Sequence, residues 1–146
     1  MARVIESGSL TALFLGNLAR LAGQRGEIDV AASHARAAMA SALEVSATAL
    51  AVGVVPTLAS IALQRGEVAE AVALCMLTLR TPSAGREARA QAETLMLRLA
   101  RDLDPVAMAA AQQLGSALHL DDPLEAHAPE AGEQVAADVH ATERHA

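Results

Sequence analysis

The side chains able to do chemistry in this 146-residue chain are few and scattered. There is one cysteine, Cys75. A thiol nucleophile needs a base beside it, and no His or Asp stands near Cys75 in sequence. The residue falls on the apolar stripe of a predicted helix and reads as a core thiol. A single cysteine also excludes a disulfide framework and a Cys-based zinc site. His34 and His119 stand singly on helical patterns. His127, His140 and His145, with Glu143 between the last two, are irregularly separated. They could pick up a divalent cation adventitiously but lack the ligand spacing of a built site. Arg80, Arg86, Arg89, Arg98 and Arg101 gather around one predicted helix, with Arg86 and Arg89 one turn apart. They read either as an anion or acidic-partner patch at Arg86 and Arg89, or as a solvated face paired with Glu87, Glu93 and Asp102. No paired carboxylates, Ser/His/Asp arrangement, phosphate loop or metal spacing converges. The expectation is a protein that is not an enzyme and takes no metal or cofactor.

The elements around these residues follow from composition. The chain is 53% apolar, yet Phe14 is its only aromatic residue. Alanine supplies 36 residues, and there are 11 Arg and no Lys. Alanine is the strongest helix former, whereas aromatic and β-branched residues favour strands. The composition therefore predicts an all-α chain. It also suggests a bacterial source rich in G and C. Net charge −6 without a basic patch or aromatic platform argues against nucleic-acid binding. Residues 1–119 carry 10 Arg and 10 acidic residues, so the whole imbalance lies in residues 120–146. That segment, with Pro123, Pro129 and Gly132 and few large apolar residues, reads as a disordered acidic tail.

Helical periodicity predicts six helices, at about 9–24, 27–44, 45–64, 67–80, 84–103 and 105–118. Residues 1–8 read as an extension before a Ser9 cap. Ser83 reads as an N-cap, and Asp104-Pro105 as a capping Asp with Pro at the first helical position. Short turns between helices imply antiparallel hairpins, with units at about 9–44, 45–80 and 84–118.

Residues 18–31, LARLAGQRGEIDVA, match residues 58–71, LASIALQRGEVAEA, at eight of fourteen positions, an offset of 40. The shared Gln-Arg-Gly-Glu falls at the turn between two helices each time. A helix–Gly turn–helix unit repeated at this period marks an α-solenoid. Leu15, Leu18, Ala19, Ala22, Gly26, Ala31, Ala35 and Ala38, then Val55, Leu58, Ala59, Ala62, Gly66, Ala71, Cys75 and Thr78, resemble the tetratricopeptide repeat. The family's usual period is 34, and its aromatic positions are small or aliphatic here. From about residue 10 to 122 the order of features is similar to the C-terminal end of the repeat arrays of large bacterial ATPase-type transcriptional regulators. That resemblance implies a repeat end-piece in a signalling or transcription-regulator system, without the ATPase or DNA-binding parts.

The tetratricopeptide resemblance implies a ligand groove lined by the first helix of each unit. Its lining would be Leu13, Gly16, Arg20, Gln24, Gly53, Pro56, Ser60 and Gln64. Such a groove is poor in charge and suits an apolar or weakly polar segment. The leading expectation is a cytoplasmic protein–protein interaction module. Its partner is a protein or peptide, or another copy of the chain through repeat stacking at the first helix, which lacks an obvious polar capping face. The second expectation is a small membrane-associated helical protein. It rests on residues 45–64, 20 residues without a charge. Against it stand Pro56 and the many small residues of that run.

Overall fold

The computed structural model describes residues 2–120, with side chains from Glu6 onward. Six α-helices account for nearly all of it, with no strand among the described residues. They are α1 (Ala2–Gln24), α2 (Ile28–Glu44), α3 (Thr48–Gln64), α4 (Val68–Arg80), α5 (Arg86–Asp102) and α6 (Pro105–Ser116). The acidic segment 121–146, with its three histidines, lies outside the described residues.

Consecutive turns repeat in detail. At the α1–α2 turn the Glu27 N–H donates to Ala22 O (2.9 Å), and Gly26 takes φ 78°. At the α3–α4 turn the Glu67 N–H donates to Ala62 O (2.8 Å), and Gly66 takes φ 79°. The same hydrogen bond closes the α2–α3 turn, where the Ala47 N–H donates to Ala42 O (2.7 Å). There the left-handed position is Ser46, φ 58°. Left-handed residues thus recur at 26, 46 and 66, and the 40-residue sequence repeat is two 20-residue helix–turn steps.

Two layers result. α3 packs on α1, α2, α4 and α5, so α1, α3 and α5 form one layer. α2 and α4 lie in the second, and α6 joins it by packing on α4. The last two helices therefore meet through α4 rather than as a simple hairpin. Small residues permit the close approaches. Ala19, Ala31, Ala35, Ala38 and Ala42 are all fully buried where α1, α2 and α3 meet. Met39, Leu58, Ile61, Leu74 and Leu99 fill the larger spaces. Burial of such a stripe against neighbours stabilises each helix, at about 25 cal/mol per Å² of apolar surface. Thr78, the one buried polar side chain of the core among the described residues, donates to Leu74 O within its own helix.

Four boundaries differ from the sequence expectation by two residues or more. α1 begins at Ala2, not at a Ser9 cap, so residues 2–8 are helical. Gly8 lies against the α2–α3 turn, where an added Cβ would sit 2.6 Å from Val45 Cγ1. α3 begins at Thr48, because Ser46 interrupts the uncharged 45–64 run; the helix is 17 residues long with Pro56 buried inside it. Among the described residues no helix is long and apolar enough to cross a membrane, so the spanning segment expected at 45–64 does not form. α5 starts at Arg86 behind Gly85, with no side-chain cap from Ser83. α6 ends at Ser116 instead of Leu118. The Asp104 cap forms as expected: the Ala107 N–H donates to its Oδ1 at 2.8 Å.

Candidate functional site

The three helices of the first layer leave a groove along their outer face. It has two adjoining lobes, of about 590 Å³ and about 310 Å³. The smaller lobe is lined by the earlier residues of each helix's groove face: Leu13 and Gly16 of α1, Leu50 and Gly53 of α3, Arg86 of α5. The larger is lined by residues further along: Gln24 of α1, Pro56, Ser60 and Gln64 of α3, Thr94 and Arg98 of α5. Position along the groove advances with residue number on all three helices, so they run in the same direction, as alternate helices of a stacked array must.

Arg20, Thr57, Glu87 and Gln91 line both lobes. Between the lobes Arg20 Nη1 donates to Glu87 Oε1 at 3.4 Å, an ion pair from α1 to α5. Both side chains stay substantially exposed, 45% and 79%, so the pair is screened by water. The groove floor is small or apolar where α3 passes below. Gly53 leaves open space: a Cβ added there meets nothing within 4 Å. Around the floor stand the amides of Gln24, Gln64 and Gln91 and the hydroxyls of Thr57, Ser60 and Thr94.

All eight positions named from the repeat resemblance line this groove: Leu13, Gly16, Arg20, Gln24, Gly53, Pro56, Ser60 and Gln64. The third wall, from α5, was not expected. The α5 helix carries no copy of the Gln-Arg-Gly-Glu turn, so its register against α1 and α3 had no marker in the sequence. Its Glu87 reads in sequence only as one member of a solvated face.

The expected patch at Arg86 and Arg89 does not form as a pair. Arg86 borders the smaller lobe. Arg89 turns away and donates to Leu79 O at 3.0 Å and Thr81 O at 3.1 Å. It satisfies carbonyls at the C-terminus of α4, where a cation is favoured. Arg80 likewise donates to Gly115 O and holds the end of α6 against α4. Arg98 lines the larger lobe.

Away from the groove, Cys75 is fully buried, and burial pushes its thiol up to about 12. It stays protonated and unreactive at neutral pH. Burial, then a hydrogen bond and charge repulsion from Glu67, raise the Glu70 carboxyl to about 7, against the pull of Arg65. Burial, with repulsion from Arg65, lowers the Arg36 guanidinium. Among the described residues no three His, Cys, Asp or Glu side chains gather as a metal site. No protein-family model matches the chain, and no curated protein or solved structure shows significant similarity to it.

Proposed function

We propose that the chain is a non-enzymatic protein–protein interaction module whose α1–α3–α5 groove takes a peptide segment of a partner protein. The observation that carries this reading is the groove itself. It runs along three parallel helices, is open at Gly53, and is edged by amides and hydroxyls. Amide and hydroxyl side chains hydrogen-bond to peptide backbone without demanding a particular charge. Leu13, Leu50 and Leu95 offer apolar contact for alternate side chains of the occupant. The preferred segment is apolar or weakly polar, because Arg20 and Glu87 pair with each other and the remaining charged lining is Arg86 in the smaller lobe and Arg98 in the larger. The tetratricopeptide-like resemblance supports the same use of the face. The resemblance to the end of the repeat arrays of bacterial ATPase-type regulators supports a cytoplasmic setting within a bacterial signalling or transcription-regulator system.

The test is selection of short peptides from a random display library on the immobilised chain. Enriched peptides should lose at least tenfold in affinity on Gly53→Arg, which fills the smaller lobe from open space. Failure to enrich, or enrichment indifferent to Gly53→Arg, removes the groove from consideration as a binding site.

A further inference from the structure

Leu10, Phe14 and Leu21 of α1 are 63%, 64% and 50% exposed. With Asn17 they recur at intervals of four, three and four residues, one continuous strip of helix surface. The opposite face of α1, with Ala12, Ala19 and Ala22, is buried in the helix layers. The only aromatic residue of the chain therefore stands on the side of α1 that its own core does not use. A contiguous exposed stripe of large apolar side chains marks a contact surface.

We propose that this strip is where a second copy of the chain docks, α1 against α1, antiparallel about a two-fold axis. A two-fold contact requires one surface to be complementary to itself. The strip meets that requirement about a centre between Phe14 and Asn17. Leu10 then faces the partner's Leu21, and Phe14 faces the partner's Asn17. At the two ends Glu6 comes beside the partner's Arg25; both residues are exposed in the single chain. A parallel pairing would set Glu6 against Glu6 and Arg25 against Arg25, like charge on like. Charge therefore selects both the occupant and its direction. Asn17, polar within an apolar seam, opposes sliding of the two helices, as single polar seam residues do in coiled coils. Of these residues only Asn17 also borders the smaller lobe; Phe14, Glu6 and Arg25 line neither lobe, so substitutions there test this contact independently of the peptide-binding reading.

Sedimentation equilibrium of the full chain over a wide concentration range tests the proposal. A monomer–dimer equilibrium is expected. Phe14→Glu should give a monomer whose far-UV circular dichroism is unchanged. Glu6→Arg and Arg25→Glu, both at exposed positions, should each weaken the dimer about tenfold, two pairs per dimer turning repulsive. An equimolar mixture of those two variants should recover the native affinity, because both end contacts of the mixed dimer join opposite charges. A monomer at every concentration overturns the proposal and leaves the strip to a different protein. So does a dimer indifferent to Phe14→Glu, or a mixture no tighter than its components.

Discussion

Arg20 and Glu87 are 67 residues apart in the chain and 3.4 Å apart in the fold, bridging α1 to α5 across α3. The pair ties the first and last helices of the groove layer together and divides the groove into its two lobes. Because the two side chains are 45% and 79% exposed, its energetic weight is small. We expect a coupling of about 0.5 kcal/mol from a double-mutant cycle of Arg20→Ala and Glu87→Ala. In 1 M salt, where the screening length is about 3 Å, the coupling should fall close to zero. Urea titrations of the four chains at low and high salt measure it. A coupling above 2 kcal/mol, or one insensitive to salt, would show that the contact is drier than this geometry implies.

The turn series at 26, 46 and 66 makes a sharper prediction. Gly26 and Gly66 occupy the left-handed region without strain, whereas Ser46 does so at φ 58° with a Cβ. Ser46→Gly should stabilise the chain by about 0.5 kcal/mol, after allowing for the extra freedom glycine gives the unfolded state. Gly66→Ser should destabilise it by about 1 kcal/mol. Urea midpoints of the three chains decide the matter, and a lower midpoint for Ser46→Gly would contradict the equivalence of the turns.

How much of this was legible in the sequence depends on whether a feature is local. Gln-Arg-Gly-Glu marked two turns because glycine and its neighbours create that geometry on the spot. Ser46 performs the same turn without the glycine, so periodicity alone starts α3 three residues early and makes the uncharged run long enough for a bilayer. The α1 and α3 walls of the groove followed from the repeat they share. The α5 wall depends on how a third helix docks, and periodicity puts Arg89 on the surface although its partners, Leu79 O and Thr81 O, lie at the end of the preceding helix. The position of α6 on α4 is likewise a tertiary result, fixed by contacts at Gly115 that no periodicity reveals.

Gly115 is where that docking is most exposed to test. A Cβ added there would lie 2.9 Å from Ala73 Cα and 3.1 Å from Met76 Sδ. The first neighbour is backbone and cannot step aside. Gly115→Ala should therefore push α6 off α4 and cost about 2 kcal/mol, despite the better helix propensity of alanine. Gly53→Ala is the control: it meets nothing, and propensity alone should stabilise the chain by about 0.5 kcal/mol. Both are read from urea titrations followed by circular dichroism. Equal effects of the two substitutions would mean that α6 is not held at this contact.

Glu70 sets the direction of the pH dependence. Its carboxyl moves from an ordinary value of 4.5 to about 7 on folding, chiefly through burial. Between those two values the folded chain holds the extra proton, so stability must fall as pH rises through that window. Below about 4.5 both states are protonated and the penalty is absent; above about 7 it is complete. For a side chain only partly shielded from water, solvent screening reduces the effect to about 1 kcal/mol. Glu70→Gln keeps the neutral shape at every pH, so this part of the slope should vanish and the chain should be the more stable one at pH 8. Urea midpoints from pH 5 to 8 for both chains test the sign directly. Parallel slopes for the native chain and Glu70→Gln would mean that the carboxyl does not titrate in this window, and that the desolvation at α4 is relieved by water.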